Sequence, residues 1–235
     1  MDNLHTLNMV EATITSRRTS KVLLSVESRH EQQACWTDEH ALLLQSMVES
    51  ARWAPFHKRA HEQHLVADLA GPMPWRFHIV GPEACTRLLE YLKAQADANA
   101  DPKWGRAWQS KISEMISACG VLIQATWLPE PGESSHAESA GSATEFTQKN
   151  IEHVAAASSA IQNLLLAAES HQWLSYWSSG GILRDEEIFD FMGINRTEQL
   201  LGSIFLTPEA HPSSRILDGG LRDQRGDMSG WVHWV

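Results

Sequence analysis

The sequence predicts a mixed β-sheet flanked by helices and organised around one long buried helix. Strand-like segments alternate along the chain with segments of helical periodicity, and this order favours a helix-flanked sheet. Residues 120–127 (GVLIQATW) form a nearly continuous apolar run, which is expected of a strand in a sheet covered on both faces. Residues 154–168 contain no charged side chain, and a helix that is apolar or small on every side is buried.

This central helix is expected over about residues 145–171. The uncharged run is shorter than the ~20 residues that span a bilayer and contains Gln162 and Asn163, so it indicates a core helix. Its first half consists largely of Ala and Ser, which allow another backbone to come close, and its second half is rich in Ile and Leu. The helix could therefore serve a domain core and a subunit interface together, or be buried inside a single subunit.

Two helices are expected before the first strand. Residues 1–16 form a moderately amphipathic pattern with apolar side chains at positions 4, 7, 10 and 14. Thr37 is a favourable N-cap for the second helix, and Asp38 and Glu39 complement the dipole of its first turn. This helix ends before Pro55, because a residue that precedes proline avoids the helical region.

Two strands and two helices are predicted in the middle of the chain. Residues 75–81 alternate and end at Gly-Pro, which is typical of a strand. A helix follows over residues 83–99, and a single further helix begins at Pro102 and carries apolar side chains at positions 104, 108, 112 and 116. After the strand at 120–127, the small and polar residues 128–144 predict a mobile loop.

The last third of the chain predicts two strands, a short helix and an apolar terminus. The strands are expected at residues 173–177 and 201–207, with an acidic helix at 184–192 between them. The final residues 231–235 (WVHWV) alternate like a strand and are very apolar for a terminus. We expect them to bury against their own sheet or against a partner chain.

The composition excludes several classes of protein. With 43% hydrophobic residues, the 235-residue chain can build a sizeable core as one large domain or two small ones. The formal net charge of −10 argues against a nucleic-acid partner, because neutralising phosphates requires a basic face. No segment is long and apolar enough for a membrane helix, so we expect no membrane association.

The N-terminal sequence and the cysteines indicate a cytoplasmic protein. The first residues lack the basic and then apolar pattern of a signal peptide. Cys35, Cys85 and Cys119 are odd in number and widely spaced, which fits reduced thiols packed as small apolar groups. The ten tryptophans provide large buried surfaces, and they could also provide flat surfaces for a planar ligand.

The segment from Ser16 to Lys21 is unusually basic for an acidic chain. It contains three cations and three hydroxyl groups in six residues (SRRTSK). Guanidinium forks and hydroxyl donors are the groups that bind a phosphate monoester. The alternative is a solvated basic loop without a ligand.

Three histidines interrupt the loop-like segment 55–74. The spacing of His57, His61 and His64 would suit a metal site on one helical face. No acidic residue or cysteine completes an obvious ligand set, and HEQH lacks the HExxH spacing of zinc proteases. We therefore predict no metal site.

Five segments in order carry a resemblance to a known family. RRTSK follows the first helix, ARWAPFHK follows the second helix, and PWRFHIV forms the first strand. The central helix and its following turn read NIEHVAAASSAIQNLLLAAESHQWLSYWSSGGI, and GINRTEQLLGSIFLTPEA leads into the last long strand. Over most of the chain, this order resembles the FMN-dependent nitroreductase family, especially its short bacterial single-domain members.

The resemblance implies one domain over residues 1–235 with an α+β fold, a mixed and mainly antiparallel sheet, and a homodimer. In the family, FMN lies at the subunit interface, and the long central helices form much of the contact. Residues 58–73 form an insertion where the family has a short link, so the usual polar residue near the flavin pyrimidine is not placed.

The resemblance also implies the residues that bind the cofactor. Arg17, Arg18 and Thr19 match the family's RRS segment, which holds the FMN phosphate and ribityl chain, and Lys21 is expected to assist. Trp53 and His57 match loop positions that reach the flavin of the other subunit. Further matching positions are Trp177, Ser178 and Ser179 beside the ring, and Arg222 or Arg225 at the phosphate.

The implied activity is ping-pong hydride transfer. NADH or NADPH would reduce the flavin, and a nitroaromatic, quinone or related acceptor would then be reduced on the same face, with no catalytic side chain required. At position 178 or 179 this chain has Ser where close relatives often carry Arg. We expect this difference to change which acceptors fit beside the flavin. Alternatives are a non-enzymatic flavin binder or sensor, and a different flavin chemistry on the same fold, such as flavin fragmentation or dehydrogenation.

Overall fold

The computed structural model describes residues 3–66, 69–98, 101–131 and 147–235. Within these ranges the α-helices are α1 (Asn3–Ser16), α2 (Arg29–Ala34), α3 (Asp38–Arg52), α4 (Pro82–Ala98), α5 (Pro102–Trp108), α6 (Lys111–Ala118), α7 (Gln148–Ser170) and α8 (Glu186–Met192). The strands are β1 (Ser20–Leu23), β2 (Trp75–Val80), β3 (Val121–Trp127), β4 (Leu174–Ser178), β5 (Gln199–Thr207) and β6 (Arg215–Asp218). This content confirms the predicted α+β class.

The main sheet has the strand order β2-β3-β5-β4, and each of these neighbouring pairs is antiparallel. Residues 121–126 of β3 are all buried, so the prediction of a strand covered on both faces is confirmed. The register places Phe77 opposite Ala125 and Trp177 opposite Ile204. A bulge between Ala125 and Thr126 interrupts the pairing of β3 with β5.

The predicted central helix is α7. Thr147 caps it by accepting a hydrogen bond from the backbone N–H of Asn150, and the expected start at residue 145 lies outside the described residues. Ala156, Ala157 and Ala160 are buried in one cluster with Leu44 and Met47 of α3. The small half of α7 therefore packs against α3 inside the subunit, so small side chains alone do not require a partner helix.

The two faces of the sheet have separate cores. One cluster joins α3 and α7 to residues such as Val121, Ile123 and Leu206. The other joins α4, α5 and α6 to Leu122 and Phe205, which alternate with the first set along the same strands. This alternation explains how one apolar strand serves two hydrophobic layers.

The prediction of a single helix beginning at Pro102 was wrong. The chain turns at Gln109, and Ser110 starts α6 as a new N-cap by accepting a hydrogen bond from the backbone N–H of Ile112 at 3.1 Å. The hydroxyl of Ser110 satisfies a backbone donor that a continuous helix would have used internally.

The apolar C-terminus is neither a strand nor buried in the subunit. A single 3₁₀ turn covers Met228–Gly230, and the chain then continues without regular structure. Trp231 is 74% exposed and Trp234 is 81% exposed, so the predicted burial against the chain's own sheet was wrong. An alternating apolar pattern predicts burial only where another surface covers it, and none of the described residues covers Trp231 or Trp234.

The segment predicted as an insertion is held by one buried guanidinium. Arg76 of β2 donates hydrogen bonds to the carbonyl groups of five residues, which are His64, Leu69, Gly71, Met73 and Trp75. Its pKa is lowered by burial, although the charge of Glu198 works in the opposite direction. Arg76 therefore holds residues 64–66 and 69–75 beside the sheet.

Two further predictions concern the polar loop and the thiols. Of the loop predicted at 128–144, residues 132–144 lie outside the described residues. All three cysteines are free, with Cys35 exposed, and the Sγ atoms of Cys85 and Cys119 are 4.0 Å apart in the core. In the described parts of the chain, no helix combines the length and apolar character required to cross a bilayer.

Candidate functional site

The beginning and the end of the chain meet in a small two-stranded sheet. β1 pairs antiparallel with β6, from Ser20 opposite Asp218 to Leu23 opposite Arg215. The Ser20 hydroxyl donates a hydrogen bond to Asp218 Oδ1 at 2.9 Å, and the Gly219 N–H donates to the Thr19 carbonyl at 2.8 Å. This pairing fixes the basic segment after α1 beside the residues that follow β6.

Gly219 is required at the crossing of these two segments. A Cβ atom added at position 219 would lie 3.1 Å from Cβ of Thr19, closer than most real side-chain contacts. The small residue therefore lets the two backbones approach one another. The close approach creates a pocket between the two ends of the chain.

This pocket has a volume of about 270 Å³ and is lined mainly by arginine and by backbone. Its lining residues are Arg17, Arg18, Thr19, Asp218, Gly219, Gly220, Leu221, Arg222, Asp223 and Arg225. The structure thus brings together five residues that were predicted to bind the cofactor phosphate. We name this set of lining residues the arginine pocket.

The lining of the arginine pocket has a net positive charge, since it contains four arginines, Asp218 and Asp223. The pKa of Arg17 is lowered by burial and by the neighbouring charges of Arg225 and Arg222, while Glu169 partly compensates. A guanidinium group close to two other guanidinium groups is electrostatically unfavourable, and a bound anion reduces the repulsion among them. One ion pair moderates the field, since Arg18 Nη1 lies 3.8 Å from Asp218 Oδ2 at the solvent edge.

The two C-terminal arginines have different surroundings. Arg222 donates hydrogen bonds to the carbonyl groups of Thr15, Ser16 and Arg17, which are the open carbonyls at the end of α1. Within the described residues, Arg225 makes no hydrogen bond or ion pair with protein. Arg222 therefore holds the end of α1 in place, whereas the guanidinium of Arg225 is available to an anion.

Lys21 points away from the arginine pocket towards β4. Its Nζ lies 4.6 Å from the centroid of the Tyr176 ring, which is a cation–π distance. Tyr176 is followed on the same strand by Trp177 and Ser178, and the turn continues through Ser179. Lys21 therefore connects the basic segment to the strand that carries the other predicted flavin contacts.

The turn after β4 is held by specific hydrogen bonds. The Ser178 hydroxyl accepts a hydrogen bond from the Gly180 N–H at 3.2 Å, and Arg184 donates to the carbonyl of Ser179. Gly180 has φ of 100° and Gly181 has φ of 56°, conformations that favour glycine. The SSGG sequence is thus explained by backbone geometry, and it presents the Ser179 side chain to solvent.

Trp53 and His57 do not line the arginine pocket of their own subunit. Both follow α3 and are exposed, with Trp53 at 76%. Of the predicted site residues, one subunit therefore assembles Arg17, Arg18, Thr19, Arg222 and Arg225 and leaves the other positions outside this pocket.

Sequence reasoning missed the contributions of Asp218, Gly219 and Asp223. β6 has no apolar alternation, and all four of its residues are exposed. The available signal was the Gly219-Gly220 pair followed by charged residues, which indicates a turn with close backbone approach.

The histidine cluster has a structural explanation instead, because His64 is buried with its Nε2 2.7 Å from the Pro129 carbonyl. Among the described residues, no group of three potential metal ligands is found.

The sequence and fold were compared with known proteins. A model described as the Nitroreductase family matches residues 39–206. A search of curated proteins finds no match. The structure resembles a nitroreductase-like family protein from Bacillus cereus, with a TM-score of 0.57 and 16% identity over 94% of this chain and 96% of that one.

Two other similar structures contain a cofactor. A nitroreductase with bound FMN from Bacteroides fragilis has a TM-score of 0.57 and 16% identity, with 96% of this chain and 98% of that chain covered. A nitroreductase described as putative, in complex with FMN, from Desulfovibrio desulfuricans has a TM-score of 0.52 and 17% identity, with 86% and 87% covered. At these identities the structures show a common fold.

Proposed function

Since this chain belongs to the nitroreductase family, we propose that it is an FMN-dependent oxidoreductase that uses NADH or NADPH. The observation that carries the proposal is the arginine pocket, which joins the two ends of the chain around a positive field. When bound, FMN would supply the hydride chemistry that couples oxidation of the reduced nicotinamide to reduction of a nitroaromatic, quinone or related acceptor.

The donor set of the arginine pocket fits the phosphate of FMN. Arg17, Arg18 and Arg225 provide guanidinium groups, and Thr19 provides a hydroxyl group, all at one pocket. Charge-assisted hydrogen bonds of this kind contribute roughly 1.5–3 kcal/mol each. Burial is the main reason why the pKa of Arg17 is lowered, and a phosphate there would offset the further contribution from Arg225 and Arg222. We assign phosphate binding to these four residues and a supporting role to Arg222.

We assign the remaining predicted contacts to the ring. Lys21 approaches Tyr176, which packs with the α4–α6 core, whereas Trp177 packs with the α3–α7 core on the other face, and Ser178 and Ser179 lead into the turn. A ligand that is anchored at the arginine pocket and extends along β4 would reach this turn. The turn is rigid because Arg184 and Ser178 bind its backbone, so its polar groups are preorganised for a planar ligand.

We further propose that the active form is a homodimer. A single subunit exposes large apolar side chains on α1, after α3 and at its C-terminus, including Val10, Ile14, Trp53, Trp231 and Trp234. Large exposed apolar surfaces of this kind mark interaction sites. A second copy would cover them and would bring Trp53 and His57 of one subunit towards the ring bound by the other.

The phosphate assignment is tested with Arg17→Ala. We expect the wild-type protein to purify yellow or to bind added FMN, and the variant to lose most of its FMN, as measured by absorbance and by equilibrium titration. Arg87→Ala is the matched control, because Arg87 is an exposed arginine outside the pocket. Equal FMN content in wild type and Arg17→Ala would refute the assignment.

Two further measurements test the activity and the assembly. Steady-state oxidation of NADH and NADPH with a nitroaromatic distinguishes an oxidoreductase from a flavin binder, which would hold FMN without turnover. Product analysis of aerobic reactions with reduced FMN identifies flavin fragmentation. Sedimentation equilibrium should give twice the subunit mass of 26.3 kDa, and a monomer at micromolar concentration would contradict the dimer proposal.

A further inference from the structure

A strongly basic loop follows α3 in this acidic protein. Residues 52–61 (RWAPFHKRAH) contain Arg52, Lys58 and Arg59, and no acidic residue occurs between Glu49 and Glu62. The whole chain carries a net charge of −10, so this concentration of cations is a local exception. We call residues 53–59 the basic loop.

The backbone of the basic loop is anchored by its small and apolar residues. Ala54 is buried, and its N–H donates to the Ala51 carbonyl at 3.1 Å. The Phe56 ring meets Trp75 edge-on with centroids 5.7 Å apart. Just beyond the loop, the Ala60 N–H donates to the Pro72 carbonyl at 2.9 Å. The loop therefore has a fixed path, and it is part of the folded structure.

Lys58 and Arg59 form no ion pair in the described parts of the chain, whereas Arg52 at the end of α3 is paired with Glu49 at 2.8 Å. His57, Lys58 and Arg59 are exposed and make no hydrogen bond or ion pair there. Several other cations are paired, as with Lys93 and Asp97 at 2.8 Å. Adjacent like charges on a fixed loop repel one another, and an anionic ligand would relieve this repulsion.

The same loop also carries an exposed aromatic side chain. Trp53 is 76% exposed, and the guanidinium of Arg52 stands 5.8 Å from its ring centroid. An exposed indole offers a flat face for stacking, and the neighbouring cations attract negative charge. A planar ring that carries an anionic group would match both the indole face and the cations.

We propose that the basic loop selects anionic aromatic acceptors, such as nitroaromatics or quinones that carry a carboxylate or sulfonate. This inference rests on the proposed function, in which the residues after α3 face the flavin of the partner subunit. Lys58 and Arg59 attract the anionic substituent, and Trp53 stacks on the ring. These residues position the acceptor and take no part in the hydride transfer.

The test compares two acceptors of nearly equal shape, 4-nitrobenzoate and 4-nitrobenzamide, with the flavin-loaded enzyme at saturating nicotinamide. Each two-electron reduction converts the nitro group to a nitroso group and water and consumes one nicotinamide hydride and one proton. We expect kcat/KM for the benzoate to exceed that for the amide by about tenfold at low salt. The preference should decrease as NaCl is raised, because salt screens exposed charges.

The variant Lys58→Gln/Arg59→Gln should bring the ratio of the two kcat/KM values close to one, mainly by raising KM for the benzoate. Lys111→Gln on α6 is the control, since it removes an exposed cation elsewhere and should leave the ratio as in the wild type.

A wild-type ratio near one, with the amide reduced normally, would overturn the inference and leave the proposed function standing. An unchanged ratio in the double variant, with a raised KM for the nicotinamide, would instead assign the cations to the donor. Absence of both FMN binding and reduction would overturn the proposed function as well.

Discussion

The indole of Trp177 lies directly against the α-carbon of Gly202. A Cβ atom at position 202 would stand 2.0 Å from the Trp177 Nε1 atom and 2.8 Å from the Ser178 carbonyl oxygen. Gly202 is located in β5 opposite Ala125, next to the bulge in the β3–β5 pairing. Because Gly202 has no side chain, the indole of Trp177, which is a predicted flavin contact, can lie against β5 at this point.

Replacing this glycine should disturb Trp177 before it disturbs the rest of the fold. We expect Gly202→Ala to lower the free energy of unfolding by about 1–3 kcal/mol, as overpacking in a buried site does. Urea denaturation measures the loss, and Trp fluorescence reports on the indole. Gly105→Ala is the control, because a Cβ there meets nothing within 4 Å and alanine favours helix α5. Equal stabilities for the two variants would contradict this account of Gly202.

Arg222 is predicted to act on the protein itself, through the end of α1. Arg222→Leu removes the donors to the carbonyl groups of Thr15, Ser16 and Arg17, which should cost about 1–2 kcal/mol of local stability. Hydrogen exchange should therefore accelerate in α1 of the FMN-free protein. Unchanged exchange in α1 would show that this helix end does not depend on Arg222.

Arg225 is predicted to act on the ligand. Arg225→Gln should weaken FMN binding by about tenfold or more, the equivalent of one charge-assisted hydrogen bond. Since Arg225 makes no hydrogen bond or ion pair with the described residues, we expect the free energy of unfolding without FMN to change by less than about 0.5 kcal/mol. Titration with FMN and urea denaturation separate the two effects. A loss of stability without a loss of affinity would reverse the roles given to Arg222 and Arg225.

Glu198 should make stability depend on pH in the acidic range. Burial alone would raise its pKa, but the hydrogen bonds from His78 and Thr126, with the charge of Arg76, outweigh burial and hold the pKa of Glu198 below its usual value. Its stabilising effect is therefore complete above the unfolded pKa of about 4.3 and is lost as the pH falls through the lower folded pKa.

The variant Glu198→Gln tests this pH dependence. It should be less stable than wild type by about 1–3 kcal/mol at pH 7, because His78 loses its charged partner at 2.7 Å. Below about pH 4 this difference should shrink as the wild-type carboxylate takes up a proton. Denaturant titrations at each pH provide the measurement. A difference that grows towards acidic pH would have the wrong sign.

Arg76 should not be replaceable by lysine. An ammonium group cannot reach the five carbonyl groups that the guanidinium contacts, so Arg76→Lys should destabilise the protein by about 1.5–3 kcal/mol. Limited proteolysis should then cut within residues 58–73 faster than in wild type. Arg87→Lys provides the control on an exposed site. Equal cleavage rates would show that the segment is held by other contacts.

Local patterns in the sequence predicted most of the main sheet and its helices. The uncharged run of α7 and the apolar run of β3 both reflect burial, which can be recognised directly from the composition of each segment. The β1–β6 pairing leaves no such mark, because β6 is exposed and its partner strand lies at the other end of the chain. The break at Ser110 was readable in principle, since serine is a strong N-cap.

The candidate site was accessible from the sequence only in part. The composition of the Ser16–Lys21 segment predicted phosphate binding, which stays a prediction, and gave no sign of the C-terminal residues that line the same pocket. The difference between Arg222 and Arg225 depends on which backbone carbonyls lie within reach, and no local pattern contains that information. The exposure of Trp231 and Trp234 was not predicted, because an apolar pattern does not show whether a covering surface exists.

The pairing of β1 with β6 has a consequence for the integrity of the molecule. The arginine pocket is formed by residues 17–19 and by residues between 218 and 225, which are far apart in the sequence. Local unfolding of either segment would therefore disrupt the pocket. Occupancy by an anion must then suppress such unfolding, and hydrogen exchange in both strands should slow together when the pocket is filled. The bound ligand would link β1 to the residues that follow β6, and removal of residues 219–235 would abolish both the pocket and this protection.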